Sequence, residues 1–378
     1  MISVIDLFCG TGGLSFGLQM EDDEFVTVGA IDIDAVACET ARANHPEATV
    51  VNQGIGDLAP LDFLSMTGAS SVDVIVGGPP CQGFTSLRPS RAEGVDDPRN
   101  SLYRDFIRYV AELRPSAFLM ENVVGLVGAN EGRLLHDLLG GFRNAGYATD
   151  WRILNAAGYG IPQKRERFFL LGVRSDLSSP SSLRFPQPTR SFDGRTIGIK
   201  NRNRMLDSNS DMPDVITTWQ AISDLSSIGP GEASSLYASE PRNSYQALMR
   251  GTSDSVKLHQ AANHNAKMRA VMAIAGSSKQ ALPEGMVSSG YSSCYSRMSP
   301  DEPAPTITVK FTSPASSKCI HPFDNRAITP REAARLQGFP DDFEFRGTKT
   351  QIASQIGNAV PPLLATCFAP ILKELVTA

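Results

Sequence analysis

A thiol at the end of a rigid turn is the first candidate for chemistry. In the stretch DVIVGGPPCQGFTSL, Asp73 to Val76 have the pattern of a buried strand's end, and the chain then passes through two glycines and two prolines to Cys81. Pro79 and Pro80 fix φ and remove two backbone donors, which makes the turn stiff. A turn of this kind at a strand's carboxyl end aims the next side chain into a ligand crevice, and a helix starting near Cys81 would lower the thiol pKa. FLMENV ends another strand with Glu121 and Asn122, a carboxylate facing the same crevice. In GYGIPQKRERFFLLGV, Arg165 and Arg167 alternate with Lys164 and Glu166, so on extended chain both arginines point one way and suit a polar ring or phosphates. Each feature has a bland counterpart: a small buried cysteine, a surface acid, a salt-bridged surface strand. The stiffness of the turn favours a functional thiol.

A second constellation suits a nucleotide-like cofactor. DLFCGTGGLSFGL places Gly10, Gly12 and Gly13 directly after a strand and before a helix, where the backbone turns tightly and approaches a ligand closely. Asp32, in AIDID at the end of the next strand, is placed to bind ribose hydroxyls, and Asp57 in GDL lies where adenine would sit. With no GxxxxGKS pattern a phosphate-gripping loop is not expected. An adenosine without phosphates points to S-adenosylmethionine, with NAD as the rival at this level.

The elements that must carry these residues follow an alternating pattern. ISVIDLF, FVTVGAIDI, VDVIVGG, SAFLMEN and RFFLLGV read as strands, and AVACETARAN, SLYRDFIRYVAEL and GRLLHDLLGGFRNAG as helices. The fold class expected is α/β, a doubly wound, mainly parallel Rossmann-like sheet, with ligands at the carboxyl ends of its strands. The pattern degrades after about Ser175. Beyond it, NHNAKMRAVMAIA reads as a helix, APTITVKF as a strand, and Thr329 as the cap of a helix starting at Pro330. The chain has 378 residues, 41 % of them hydrophobic, enough for one large core or two domains. Its six cysteines form no CxxC pair, which disfavours zinc and disulfide scaffolds; no metal site is expected. No apolar run approaches a membrane span, and a cytoplasmic protein is expected. Net charge is −5, yet residues 164–204 hold ten Lys or Arg against three acids, a local +7 that can meet a polyanion.

Taken together, the motifs closely resemble the cytosine-C5 DNA methyltransferase family. DLFCGTGGLSFGL is similar to its cofactor motif, GGPPCQGFTSL to its Pro-Cys motif, and DDPRNSL to the segment after its mobile loop. ENVVGL carries its Glu-Asn-Val and GYGIPQKRERFFLLGVR its Gln-x-Arg-x-Arg strand; TPREAARLQGFPDDFEF and QIGNAVPPLLA resemble its last two motifs. The matches keep the family order from Asp6 to Ala365. Asp32 stands where Glu is frequent, Ile33 where an aromatic is, and Thr85 where Ser is usual. These departures bear on cofactor affinity rather than reaction type.

The resemblance implies a bacterial restriction-modification type of enzyme that methylates C5 of a cytosine flipped out of double-stranded DNA, with S-adenosylmethionine as donor. Cys81 would add to C6, Glu121 would hydrogen-bond or protonate N3, and Arg167 would hold O2 with Arg165 in support. Cofactor contacts are expected from Phe8, Gly10, Gly12, Gly13, Leu14, Asp32, Ile33, Asp57, Leu58, Pro80, Asn358 and Ala359. A mobile loop is expected from Gln82 to Asn100. A catalytic domain would comprise residues 1–178 plus 354–378, with a small domain over 179–353 whose part at roughly 180–300 reads the target; Arg297 is a candidate DNA contact, with a structural salt bridge as an alternative of at least equal weight. A monomer is expected, since one chain carries every motif, and whether a separate restriction endonuclease accompanies it stays open. The rival readings are an RNA cytosine-C5 methyltransferase, disfavoured by the missing Cys-Phe-Thr stretch, and a non-catalytic DNA-binding homologue, disfavoured by the intact Cys81, Glu121, Arg165 and Arg167.

Overall fold

The computed structural model describes residues 1–80, 102–177, 182–192, 204–206, 211–287 and 293–377. The first half alternates strand and helix: β1 (Ile2–Leu7), α1 (Gly13–Glu21), β2 (Phe25–Asp32), α2 (Ala35–Asn44), β3 (Thr49–Asn52), α3 (Pro60–Thr67), β4 (Val74–Gly77), α4 (Leu102–Leu113), β5 (Ala117–Asn122), the short α5 (Gly125–Gly128), α6 (Arg133–Asn144), β6 (Tyr147–Asn155), β7 (Gln163–Lys164) and β8 (Glu166–Arg174). Seven strands form one sheet in the order β3-β2-β1-β4-β5-β8-β6. The fold is the expected doubly wound α/β class.

Alternation along each strand divides the core into two layers. On β1, Ile2 and Val4 face a cluster with Leu14, Leu18, Phe368 and Leu372, whereas Ile5 and Leu7 face one with Phe63, Phe106 and Phe118. A sheet buried on both faces demands near-continuous apolar strands, which is why VIVG and AFLM were legible. Helix α4 buries Tyr103, Phe106, Tyr109, Val110 and Leu113, the stripe that 3.6-residue periodicity requires. Two strands carry weaker signals. In β6, Asp150 and Arg152 interrupt the apolar pattern and pair with each other at 2.6 Å, charges suited to an edge strand. Strand β3 has only four residues.

The chain runs outward through β2 and β3, then returns to place β4 on the other side of β1. That reversal makes β1/β4 the switch point, where a crevice opens beyond the carboxyl ends of the strands. β8 lies antiparallel to β5 and β6, so its first residues, rather than its last, reach the same edge.

The later elements are α7 (Thr218–Ile222), α8 (Ser244–Arg250), α9 (Ala266–Ile274), β9 (Ala304–Pro305), α10 (Pro330–Leu336), α11 (Lys349–Asn358), α12 (Pro362–Thr366) and α13 (Ala369–Thr377). Thr329 caps α10 in a reciprocal capping box with Glu332. The strand expected over APTITVKF is corrected: Ala304 and Pro305 alone pair with β7, because Ile307 gives its N–H to the side chain of Gln163 and its carbonyl to Arg165. Helices α12 and α13 fold back onto the face of β1 and β5, with Leu364, Phe368 and Leu372 in its core. Among the described residues no single helix is long and apolar enough to cross a membrane.

Around α10 the core is ionic as well as apolar. Arg335 bonds Asp224 and Asp341, all fully buried, with its Nη2 2.6 Å from Asp341; Arg326 grips Glu332 at 2.7 Å. Removing one partner strands the others without compensation. Arg335→Ala therefore lowers unfolding free energy by about 3–5 kcal/mol in denaturant titration, and a loss below about 1 kcal/mol contradicts this reading of the network.

Candidate active site

The crevice edge gathers residues from the ends of five strands, β1, β2, β4, β5 and β8. Asn122, at the end of β5, donates its side-chain amide to the Pro79 carbonyl at 2.9 Å, fixing the proline turn that leads to Cys81. Cys81 itself lies outside the described residues, as does the expected loop from Gln82 to Asn100. Glu121 points at the same turn: a Cβ placed on Gly78 would stand 3.2 Å from its Oε2. Its other oxygen, Oε1, accepts from Nε of Arg167 at 2.9 Å, with side-chain exposures of 12 % and 16 %. Burial raises the Glu121 pKa above the ordinary glutamate value, and Arg167 and Arg165 only partly offset it.

Arg165 goes elsewhere. Its buried guanidinium donates Nη1 to the Ile307 carbonyl (3.2 Å) and Nη2 to the carbonyls of Gly357 (3.3 Å) and Ala359 (2.9 Å). It therefore brackets Asn358, whose side chain is exposed at the end of α11, and joins the Arg167 strand to that helix end.

The glycine turn sits beside this group. Phe8 leaves β1 with φ 56°, Gly10 follows with φ 50° and Gly12 with φ 77°, left-handed conformations that only glycine adopts without strain. Asp32 receives the Gly10 N–H on Oδ2 and the Asp34 N–H on Oδ1, each at 2.8 Å. It thus braces the turn before any ligand arrives, and burial raises its pKa. A Cβ on Gly10 would meet nothing within 4 Å, whereas one on Gly13 would come 3.0 Å from the Val360 carbonyl. Gly10 faces open space, and Gly12 and Gly13 serve close packing. Ile33 is 79 % exposed, Asp57 is exposed and Pro80 half-buried. The Leu58 carbonyl is held by the Tyr109 hydroxyl at 3.1 Å. Leu14 turns into the core, leaving its backbone alone for any ligand.

Two further placements were not legible in advance. Arg297, a candidate DNA contact, is corrected: its guanidinium is committed to the carbonyls of Met272, Ala275, His321 and Asp324 and to the Asn325 side chain, so it braces the fold. Beneath the glycine turn, buried Asp6 accepts from the Ser15 hydroxyl at 2.6 Å, and a ring nitrogen of buried His45 stands 3.1 Å from the Gly12 carbonyl. Among the described residues no cluster of three or more His, Cys, Asp or Glu side chains could hold a metal.

Burial lifts the Asp6 carboxyl to about 7, with the Ser15 bonds pulling the other way. Between about 3.9, the unfolded value, and that point the folded chain binds more protons than the unfolded one. Stability from the neutral carboxyl is complete at the acid end and is lost as pH rises through the folded pKa. Asp6→Asn removes this titration and so gains stability relative to wild type between pH 4 and 8, by at most about 1.4 kcal/mol per pH unit within the window. Denaturant unfolding at both pH values measures the difference; an equal difference at both contradicts the buried-acid reading.

The family model described as C-5 cytosine-specific DNA methylase matches residues 2–374. The type II methyltransferase M.DdeI of Desulfomicrobium norvegicum is 36 % identical, over 97 % of this chain and 88 % of its own. M.XorII of Xanthomonas oryzae pv. oryzae, also a type II methyltransferase, is 35 % identical over 98 % of this chain and 84 % of its own. A prophage-encoded protein of E. coli, assigned as a DNA modification methyltransferase, superposes with a TM-score of 0.77 at 27 % identity, covering all of both chains. The Spodoptera frugiperda DNMT2 structure, at 16 % identity, covers 99 % of this chain and all of its own with a TM-score of 0.62, and shares the fold. Matched from its first strand to its last helix, the chain belongs to the C-5 cytosine-specific DNA methylase family and is a DNA cytosine-C5-methylating enzyme.

Proposed function

We propose that the enzyme moves a methyl group from S-adenosylmethionine to C5 of a cytosine flipped out of duplex DNA, through a transient bond between Cys81 and C6. The observation that carries this reading is the placement of Glu121: a mostly buried carboxyl of raised pKa, set over Gly78 and bonded to Arg167, beside the proline turn that precedes Cys81. The type II relatives support a restriction-modification role.

Cytosine C5 is too weak a nucleophile to attack a sulfonium unaided. Cys81 adds as thiolate to C6, and the ring's electrons move toward C5 and N3. Glu121 gives a proton to N3, so the charge pushed into the ring is absorbed where it develops. Arg167 holds O2 and stays cationic throughout. S-adenosylmethionine supplies the methyl as an electrophile. Methyl transfer leaves S-adenosylhomocysteine; the C5 proton then passes to water, Cys81 departs as thiolate and N3 returns its proton to Glu121, which restores the aromatic ring and the starting enzyme. The base must leave the stack first, at a cost of a few kcal/mol.

The chain's own residues fit that donor. Asp32 braces the glycine turn while its carboxylate keeps lone pairs for ribose hydroxyls, and Gly10 opens onto free space. Asp57 is exposed on the adenine side, and Asn358 and Ala359 close the group from α11. The catalytic unit comprises residues 1–178 plus 354–378, and the part over 179–353 carries target recognition. It works as a monomer on double-stranded DNA in the cytoplasm.

Cys81→Ser abolishes turnover, because an alkoxide forms far less readily than a thiolate; methyl transfer to unmethylated DNA reads this, and retained activity removes the covalent route. DNA carrying 5-fluorocytosine becomes irreversibly attached to wild-type enzyme in a cofactor-dependent manner, since fluorine cannot leave as a cation. Denaturing electrophoresis detects the adduct, and its absence contradicts the mechanism.

A further inference from the structure

Two glutamine side chains, both fully buried, join the site strand to the helix that carries Asn358. Gln163 lies in the short strand β7, and the chain turns at Arg165, whose N–H bonds the Gln163 carbonyl at 3.0 Å, before entering the strand that bears Arg167. Its Nε2 donates to the Leu336 carbonyl at 3.0 Å and to Oε1 of Gln337 at 2.6 Å, and its Oε1 accepts the Ile307 N–H at 2.8 Å. Gln337, at the end of α10, passes the connection on: its Nε2 donates to the Ile356 carbonyl at 2.6 Å. The orientation of both amides is fixed, because turning the first would set two N–H groups against each other at Ile307, and turning the second would set two oxygens together at Ile356.

Arg165 binds the carbonyls of Gly357 and Ala359 directly. The last turn of α11 is therefore tied to the site strand at two points, one by a guanidinium and one through Gln337. We propose that Gln337 is a positioning residue for methyl transfer: its amide sets the spacing between the strand bearing Arg167 and the helix end bearing Asn358. This rests on the reading above, in which Arg167 faces the base and Asn358 the cofactor. Donor and acceptor bind through other groups, so a loosened Gln337 affects their mutual alignment rather than their affinity. A misplacement of about 1 Å costs on the order of a hundredfold in rate.

Two variants of the full chain test this. Gln337→Met keeps volume and removes both hydrogen bonds. Gln337→Glu keeps the acceptor but, when ionised, opposes the Ile356 carbonyl; once protonated, its O–H can donate there again. Unmethylated genomic DNA serves as substrate, circular dichroism reports folding, and trapping on 5-fluorocytosine DNA counts competent sites. The proposal expects Gln337→Met to lose about ten- to a hundredfold in kcat per trapped site, with KM for DNA and cofactor changed less than about twofold. It expects the kcat of Gln337→Glu, relative to wild type, to climb as pH falls, a signature that simple destabilisation does not give. Wild-type kcat in Gln337→Met, a loss confined to KM, or a flat pH ratio for Gln337→Glu overturns it. Failure of both variants to fold overturns it too, assigning the amides to stability alone. Wild-type enzyme that forms no adduct counts against the base-site reading itself and removes the proposal with it.

Discussion

A carboxyl group drawn mostly out of water beside a guanidinium is the constraint on which the site depends. Glu121 ends a strand whose preceding residues, Ala117 to Met120, are fully buried, so its side chain emerges where protein gives way to crevice. Desolvation penalises its charged form more than Arg167 compensates. A carboxyl so placed keeps its proton at higher pH than an exposed one, which is the property asked of a donor to a ring nitrogen. The partner is available only because β8 runs antiparallel to β5. In an all-parallel sheet the start of that strand would lie at the opposite edge.

The rest of the chain holds this edge still. Asn122 locks the proline turn and Asp32 locks the glycine turn, each through backbone groups rather than ligand. Arg165 and the Gln163–Gln337 amides carry the geometry across to α11 and to Ile307. Behind them the buried charges of Arg326, Arg331 and Arg335 stiffen the surroundings of α10. Apolar packing tolerates small slips, whereas a network of directed hydrogen bonds has few alternative arrangements.

Legibility in the sequence followed the range of the interaction. Local patterns marked the five strands of the apolar alternation, the cap at Thr329 and the position of Glu121 at a strand's carboxyl end, where it meets the turn at Gly78. Interactions spanning many residues left no local mark. Gln163 and Gln337 are 174 positions apart, and nothing in RLQGF distinguishes a buried amide from an exposed one. Arg297 was open between a DNA contact and a structural salt bridge because most of its acceptors are backbone carbonyls, which carry no side-chain signature. APTITVKF had the composition of a strand, but tertiary partners at Gln163 and Arg165 took the bonds a neighbouring strand would have used. The side chain of Leu14, named with its glycine neighbours, packs into the core, so only its backbone is left to face a ligand.

The titration of Glu121 tests the account most directly. Carbon-13 NMR of glutamate carboxyls, compared between wild type and Glu121→Gln, isolates its resonance. The account predicts a midpoint above that of free glutamate, about 4.3, in the ligand-free enzyme. A midpoint at or below that value would mean that Arg167 outweighs burial, and that Glu121 cannot serve as the proton donor on which the proposed chemistry rests.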